Sequence, residues 1–523
     1  MKKTYQLLLM LITSFALCGC GGDDANDSSS SGSTPSPGVN VILRSQSISA
    51  GAEVDAATTT VLTLNYNTTV KVTGVGITLN GTAVTAKSSA TTTMSVDIPL
   101  ALEDGKSYEV KVAKGAIVST TDASASAPEF TLNFTTKAKA TPGTADNTAT
   151  ALTKRLGWGW NLGNHFDTSS GKDGVHPEWG YWDKATPTAT LYVNLKKAGA
   201  STVRIGVTWG NYQNASWDIE ASFMNEVKQN VEWAEQAGLN VILNMHHDEY
   251  WLDIKGAANN ASINTAIKER IAKTWTQIAE AFKDKGDFLL FESYNEIQDG
   301  QWGWGANRTD GGKQYKTLNE WNQLVVNTIR ATGGNNATRW IGIPAYASSP
   351  SFALEESFVL PNDPANKVMV SVHFYDPNTF TLTPENSDGK SEWGHTAAAG
   401  KFQSGSNEEH VREIFSKLYE KFIVKNIPVY IGEYGCVMHT SNRSNLFRNY
   451  YLEYVCRAAY TYSMPVCIWD NNSTGGGNEH HGYFNHNDGS YLNNMESLVQ
   501  TMIKATTSTD ANYTLESVYN KAP

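Results

Sequence analysis

The stretches FLLFESYNE (288–296) and PVYIGEYG (428–435) decide the fold of the larger part of this 523-residue chain. Each is a continuous apolar run, which is typical of a strand buried in a parallel sheet. Each also carries a glutamate toward its polar end, Glu296 in the first run and Glu433 in the second. An apolar strand has little reason to end in a carboxylate unless that end faces an active site. The two runs therefore predict a parallel sheet that brings two carboxylates together.

Six further apolar runs lie between residues 156 and 472, and helical patterns separate the strands from one another. The six runs are LGWGWNLGN (156–164), STVRIGVTW (201–209), NVILNMHH (240–247), RWIGIPAY (339–346), KVMVSVHFYDP (367–377) and MPVCIWDNN (464–472). The clearest helical patterns are 223–237, 265–282 and 408–422. Eight strands alternating with helices predict an α/β fold, the (β/α)8 TIM barrel, over 147–523. An open doubly wound sheet is the alternative, but no GxGxxG loop follows the first strand.

The region 39–137 has a different texture, because valine, isoleucine and threonine alternate there with small polar residues. Asn80-Gly81 and Asp104-Gly105 are turn signals between short strands. This pattern predicts a small all-β sandwich that resembles bacterial Ig-like modules. It could be a spacer or a glycan-binding module. A stretch of small residues (138–146) predicts a linker to the barrel.

The first 20 residues have the features of a secretory signal. Lys2 and Lys3 precede the apolar run 7–17, which is too short to span a membrane. Leu17-Cys18-Gly19-Cys20 resembles a bacterial lipoprotein cleavage site, with Cys20 as the lipidated residue. The tether 21–38 begins with Gly-Gly-Asp-Asp, which loosely resembles the export signal of surface lipoproteins in the Bacteroidota. We therefore expect a secreted lipoprotein on the outer-membrane surface, attached to the membrane through its lipid alone.

Composition narrows the classes of partner. The formal net charge is −11, and no basic patch is visible, so nucleic acid and anionic lipid are not expected as partners. Fifteen Trp and 23 Tyr accompany only 18% charged residues, which suits stacking against the flat faces of sugar rings. Cys436, Cys456 and Cys467 lie outside the signal and are expected to be free and buried. A monomer is the expected state.

Polar side chains gather at the same end of almost every predicted strand. They are Asn161, Arg204, His246, His247, Asn295, Glu296, His373, Tyr375, Glu433, Trp469 and Asp470. The carboxyl ends of barrel strands meet at one face, so these side chains predict a single active site. Two carboxylates at such a site are the minimum equipment for cleaving a glycosidic bond.

The pair His246-His247 could also suggest a metal site. Adjacent residues on a strand point to opposite faces, so the two rings are not expected to bind one ion. Neither HxH nor HExxH occurs in the chain. We therefore predict no metal and no cofactor.

The motifs VRIGVTW, NMHHD, SYNE, VHFY, IGEYG and CIWDN occur in this order and closely resemble glycoside hydrolase family 5. The resemblance covers about residues 147–508. The opening GWNLGN and the HHD and WDN variants look most like subfamily 4, whose members are endo-β-1,4-glucanases and xyloglucanases.

The resemblance implies a role for each matching residue. Glu296 would be the general acid/base, protonated because two like charges lie together, and Glu433 would be the ionised nucleophile of a retaining mechanism. The carboxyl groups should then lie roughly 5–5.5 Å apart. Arg204 and Tyr375 would support Glu433, and Asn295 would contact the sugar 2-hydroxyl. His246 and His373 would flank the sugar at the cleavage point. The expected substrate-binding residues are Asn161, His247, Trp469, Asp470, Trp179, Trp302, Trp304 and Trp393.

The resemblance favours an endo-acting enzyme that cleaves the β-1,4-glucan backbones of plant cell walls, such as xyloglucan, mixed-linkage glucan and soluble cellulose. Two alternatives remain at this point. One is an endo-β-1,4-mannanase, which the same family contains. The other is a surface glycan-binding protein that has lost catalysis, although both glutamates are present.

Overall fold

The computed structural model describes residues 39–56, 59–88, 93–137, 147–169, 182–383, 388–475 and 480–523. The chain divides into two compact units at residue 139. Cys20, the tether, the linker and Trp179 fall outside the described residues. Among the helices of the described ranges, none combines the length and apolarity that a membrane crossing requires.

The first unit consists of short strands in three sheets, which confirms the predicted all-β region. The strands are β1 (Leu43–Gln46), β2 (Glu53–Val54), β3 (Val61–Tyr66), β4 (Val70–Val72), β5 (Ile77–Leu79), β6 (Thr82–Ala83), β7 (Ser95–Pro99), β8 (Ser107–Val112), β9 (Ile117–Ser119) and β10 (Phe130–Thr136). The sheet orders are β1-β3-β7, β2-β10-β8-β5-β6 and β4-β9. Leu62 and Leu64 of β3 share a core with Val110 and Leu132, as the alternating pattern requires.

The second unit is a closed barrel of eight parallel strands, which confirms the (β/α)8 prediction. The strands are β11 (Trp158–Leu162), β12 (Thr202–Ile205), β13 (Asn240–Asn244), β14 (Leu289–Glu292), β15 (Ile341–Pro344), β16 (Val368–Phe374), β17 (Val429–Tyr434) and β18 (Val466–Ile468). Every residue of these strands is buried except Asn240 and Val368 at strand starts. This explains why they read as continuous apolar runs.

Helices cover the outside of the barrel. They are α1 (Thr148–Leu156), α2 (Ala189–Ala198), α3 (Ala221–Gln236), α4 (Ile254–Asn259), α5 (Ala261–Phe282), α6 (Lys313–Ala331), α7 (Pro350–Leu354), α8 (Asn378–Thr381), α9 (Glu408–Lys421), α10 (Asn442–Thr461), α11 (Glu496–Thr507) and α12 (Leu515–Tyr519). In α5 the buried residues Ile271, Trp275, Ile278 and Phe282 recur at helical spacing and form one apolar face.

One end of the barrel is closed by α1. The helix begins at a capping box on Asn147, and its Leu152 and Leu156 join a buried cluster with Ile242 and Leu290 of the strands. The opposite end is left for polar side chains.

The strands are shorter than the apolar runs predicted. β14 ends at Glu292, so Glu296 lies four residues beyond it, and β13 ends two residues before His246. Tyr375 and Trp469 each follow directly after a strand, whereas Glu433 lies within β17. The proposed site is therefore built largely from the first loop residues after the strands, as is usual for this fold.

Candidate active site

The two predicted glutamates lie together at the carboxyl ends of the barrel strands. One oxygen of Glu296 and one of Glu433 lie within 4.8 Å of each other and of a ring nitrogen of His373. His373 Nδ1 is 2.6 Å from Glu296 Oε1 and 3.6 Å from Glu433 Oε2. The two side chains keep 16% and 7% of their surface exposed, so both reach the open end of the barrel.

Arg204 lies beneath Glu433 and has no exposed surface. Its Nη1 donates to Glu433 Oε1 at 2.7 Å, and its Nη2 donates to Asn295 Oδ1 at 2.7 Å. Burial alone would lower the pKa of Arg204, but the attraction of Glu292 and Glu433 outweighs it and raises the pKa. The guanidinium is therefore a permanent positive charge against the Glu433 carboxylate.

Tyr375 holds the other oxygen of Glu433. Its hydroxyl donates to Oε2 at 3.1 Å, while Arg204 occupies Oε1. Two donors aimed at the two oxygens fix the orientation of the carboxylate.

His373 and His246 are both neutral near pH 7. Burial lowers the pKa of His373 to about 4 and takes the pKa of His246 well below its usual value. A guanidinium can only donate, so the 3.4 Å contact from Arg204 Nη2 to His373 Nε2 places the ring proton on Nδ1. That proton is donated to Glu296 Oε1.

His246 is held against the floor of the site. Its Nε2 lies 3.8 Å from Glu433 Oε1, and its ring stacks on Trp469 at 5.8 Å between centroids. Gly206 makes this position possible, because a Cβ there would lie 2.5 Å from His246 Nδ1. Asn244 contacts the same nitrogen at 3.1 Å.

The expectation that His246 and His247 face opposite sides is wrong. Their ring centroids are 4.5 Å apart, and ligand atoms of both rings and of Asp167 lie within 4.8 Å of one another. The alternation rule does not apply because both residues lie beyond the end of β13, outside the paired strand. Burial alone would lower the pKa of His247, but Glu249, whose Oε2 lies 3.7 Å from Nδ1, and other nearby carboxylates raise it to about 9. His247 therefore brings a positive charge to this group, and the prediction of no metal remains untested.

Three predicted substrate contacts lie inside the protein instead. Asn161 is 1% exposed and donates through Nδ2 to the backbone oxygens of Gly432, Cys467 and Ile468. Its Oδ1 accepts from Arg204, so it supports the guanidinium rather than a sugar.

Asp470 and Trp393 are the other two predicted substrate contacts that lie inside the protein. Asp470 has no exposed surface and accepts from Trp160 Nε1 and from the backbone nitrogens of Tyr483 and Phe484, so it anchors the loop after β18. Trp393 is 1% exposed and packs edge-on against Tyr451, with Nε1 donating to Ser406 O. A position in the sequence places a residue near the site but does not give the direction of its side chain.

Three tryptophans are open to solvent around the site. Trp302 is 58% and Trp304 78% exposed in the segment after Glu296. Trp182 is 48% exposed and lies 6.0 Å from the His247 ring between centroids. Trp182 belongs to the aromatic-rich loop after the first strand, from which the sequence predicts stacking faces for sugars.

A buried ionic cluster joins two loops beside the site. His486 Nδ1 lies 2.6 Å from Asp183 Oδ2, and His486 Nε2 lies 3.3 Å from Asp470 Oδ1. Burial alone would lower the pKa of His486, but the two carboxylates raise it to about 9. The imidazolium therefore holds the segment before α2 to the loop after β18.

The His486 cluster predicts a loss of stability at alkaline pH. The folded pKa lies above the ordinary value of 6.5, so the contribution is complete below about pH 6.5 and is lost as the pH rises through about 9. We expect the free energy of unfolding to fall by roughly 2–3 kcal/mol between pH 6.5 and 9.5, as measured by urea unfolding. Asp183→Asn removes one of the two anions and should flatten this slope. Equal slopes for the two proteins would contradict the assignment.

Comparison with known proteins agrees with this geometry. Residues 163–475 match the family model described as cellulase (glycosyl hydrolase family 5). Endoglucanase A of Paenibacillus barcinonensis is 31% identical over 357 residues, which cover 64% of this chain and 84% of the relative. A xyloglucan-specific endo-β-1,4-glucanase of Bacteroides ovatus is 33% identical over 339 residues, covering 63% of this chain and 66% of the relative.

A solved structure is similar as well. A broad-specificity endoglucanase from Bacteroides salanitronis is 46% identical, with a TM-score of 0.65, and the match covers 70% of this chain and 96% of that one. A closed parallel barrel with two glutamates at its open end defines the class as a glycoside hydrolase. The chain belongs to glycosyl hydrolase family 5, and it is an enzyme of the endo-β-1,4-glucanase type.

Proposed function

We propose that this enzyme cleaves internal β-1,4 bonds of xyloglucan or mixed-linkage glucan with retention of configuration. The main support for the retaining mechanism is the short distance between the two carboxylates. An oxygen of Glu296 lies within 4.8 Å of an oxygen of Glu433. Retaining enzymes place their carboxyl groups roughly 5–5.5 Å apart, whereas inverting enzymes need roughly 6.5–9.5 Å to admit a water.

In the first step Glu433 attacks the anomeric carbon while Glu296 donates a proton to the leaving glycosidic oxygen. A glycosyl ester on Glu433 forms, and the carbon–oxygen bond to the leaving sugar breaks. Glu296, now ionised, removes a proton from water, which then attacks the same carbon and releases Glu433. The surroundings of Glu433 suit its proposed role as the nucleophile, because its carboxylate accepts hydrogen bonds from Arg204 and Tyr375.

The 2-hydroxyl of the reacting sugar is proposed to bind Asn295. Its Oδ1 is occupied by Arg204 Nη2 at 2.7 Å, which orients Nδ2 as a donor. Hydrogen bonds to this hydroxyl strengthen as charge develops at the anomeric carbon. Trp469, parallel to His246, would lie under the same ring.

Substrate choice is supported by relatives. A relative from Bacteroides ovatus is specific for xyloglucan, and family 5 structures similar to this chain include a lichenase from Caldicellulosiruptor sp. F32 and a xyloglucanase from Paenibacillus pabuli. The exposed indoles of Trp182, Trp302 and Trp304, in loops that follow barrel strands, suit a long polymer rather than a short sugar.

The test is reducing-end release by the chain without residues 1–38, on xyloglucan, barley mixed-linkage glucan, carboxymethylcellulose and glucomannan. We expect activity on the first three, and proton NMR of the first product should show the β-anomer. Activity confined to glucomannan would replace this proposal with a mannanase. An α-anomer as first product would overturn the retaining mechanism.

Trp302 and Trp304 are proposed to form a stacking surface on the leaving-group side, because they follow the acid/base Glu296. Each Trp→Ala change is expected to lower kcat/KM on polysaccharide by about 3- to 10-fold, as one lost aromatic contact would. Activity on an aryl β-cellobioside should stay within twofold. Leu446→Ala, a change at a residue of α10 that is 57% exposed, is the control. Equal losses on both substrates would contradict the placement.

We also propose that the chain is a monomeric surface lipoprotein attached through Cys20. The support is the signal-like run ending in Leu17-Cys18-Gly19-Cys20 and the tether that follows it. Fatty-acid labelling of wild type and Cys20→Ala tests this proposal. Equal labelling of the two would overturn it.

A further inference from the structure

Glu292 is a fully buried carboxylate that the proposed mechanism does not use. It ends β14, and its two oxygens accept four hydrogen bonds from four other strands. Oε2 accepts from Arg204 Nε at 2.8 Å and from Asn244 Nδ2 at 2.9 Å. Oε1 accepts from Ser371 Oγ at 2.5 Å and from Tyr430 OH at 2.6 Å. This carboxylate is therefore fixed from all sides within the barrel.

Glu292 determines how Arg204 is presented to the site. The guanidinium uses its Nε edge on Glu292, and its Nη1 and Nη2 then point to Glu433 and Asn295 at 2.7 Å each. A planar guanidinium fixed at one edge cannot rotate, so its other two donors keep their directions. The nucleophile and the proposed 2-hydroxyl contact are thus aligned through one cation.

Glu292 also shares the charge of Arg204. Burial alone would raise the pKa of Glu292, but the attraction of Arg204 and the surrounding donors lower it, so the group is ionised. His246 and His373 are neutral, as described above. The Arg204 guanidinium therefore lies between the carboxylates of Glu292 and Glu433, so Glu433 faces a cation whose charge is already partly compensated.

We propose that Glu292 is a positioning residue for the reaction, which aligns Arg204 and offsets its charge so that Glu433 attacks as a strong nucleophile. The inference rests on the assignment of Glu433 under the proposed function. Without the second carboxylate, Arg204 would pair with Glu433 alone, hold it more tightly and weaken its attack.

A merely structural role would have a different signature. Loss of a structural carboxylate lowers stability but leaves the pH dependence of the folded enzyme where it was. Loss of the charge proposed here strengthens the field of Arg204 on Glu433. The nucleophile would then remain ionised to lower pH, and the acid limb of the rate profile would move down with it.

The experiment measures the inactivation rate with 2,4-dinitrophenyl 2-deoxy-2-fluoro-β-cellobioside across pH 4–8 for wild type and Glu292→Gln. This reagent reports the first chemical step alone. We expect the variant to react about 100-fold more slowly, as a slight misplacement of a catalytic group would cause. The acid limb should move about one pH unit lower. Reaction within threefold of wild type, with the acid limb unmoved, would overturn the proposal.

Glu408→Gln is the matched control. Glu408 is 1% exposed and accepts from Tyr450 OH at 2.8 Å and His395 N at 3.1 Å, so it is also a buried, hydrogen-bonded carboxylate. Its variant should lose stability without a change in the acid limb. A shift equal to that of Glu292→Gln would overturn the proposal, because any buried carboxylate would then do the same.

Two outcomes separate this inference from the assignment on which it rests. Peptide mapping of the inactivated wild type should find the label on Glu433, and a label elsewhere would refute the nucleophile assignment itself. If Glu292→Gln does not fold, Tyr430→Phe removes one of the four hydrogen bonds and keeps the charge. We then expect about a 5-fold slower inactivation with the acid limb in place. An unchanged rate would overturn the proposal.

Discussion

Replacing Glu433 by alanine is expected to lower kcat on β-glucan by roughly 10⁵-fold, the scale of losing a catalytic nucleophile. In the proposed mechanism this carboxylate forms the covalent bond of the first step, and it accepts hydrogen bonds from both Arg204 and Tyr375. The measurement is reducing-end release from β-glucan, together with the turnover of 2,4-dinitrophenyl β-cellobioside, in which the leaving group needs no proton.

Sodium azide provides the sharper readout for Glu433→Ala. The small anion can enter the space of the missing side chain and attack the anomeric carbon from that side. The product expected is the α-cellobiosyl azide, formed with one inversion, and the rate should rise with azide concentration. A β-azide, or residual activity near wild type, would show that Glu433 is not the nucleophile. Glu433→Gln is the matched variant that fills the space and should not be rescued.

The barrel could be predicted from the sequence because its strands are buried on both faces and read as apolar runs separated by helical patterns. The ends of the strands could not be predicted. FLLFESYNE reads as one strand to Glu296, but pairing with the next strand stops at Glu292. Where pairing stops depends on the stagger of the closed barrel, and neighbouring residues do not encode that stagger.

The candidate site, too, could be predicted from the sequence only in part. The sequence places Glu296, Glu433 and Arg204 at one end of the barrel, because parallel strands bring their carboxyl ends together. It does not show that Asp470 points inward to the loop behind it, since that direction is set by backbone donors of Tyr483 and Phe484. Glu292 was visible as a charge inside an apolar run. A buried charge requires a partner, and this signal would have identified it.

Replacing Glu296 by alanine is expected to have the second largest effect, and the size should depend on the substrate. On polysaccharide, where the leaving sugar must be protonated, kcat should fall by about 10³- to 10⁴-fold. On 2,4-dinitrophenyl β-cellobioside the first step needs no acid, so its rate constant should stay within about tenfold of wild type. The glycosyl-enzyme then accumulates, because the base that activates water is gone. A burst of dinitrophenol equal to the enzyme concentration is the measurement.

The stereochemistry of azide rescue distinguishes the two glutamates. In Glu296→Ala the azide replaces water in the second step and attacks a glycosyl-enzyme already formed on Glu433, so the product is the β-azide. The two alanine variants should give opposite azide anomers, because the two carboxylates lie on opposite faces of the reacting sugar. Identical azide anomers would contradict the assignment of roles, even if both variants were inactive.

The contact of 2.6 Å between His373 Nδ1 and Glu296 Oε1 provides a further control. His373→Ala should lower the rate on polysaccharide more than on the dinitrophenyl substrate, because it disturbs the acid and leaves Arg204 and Tyr375 on Glu433.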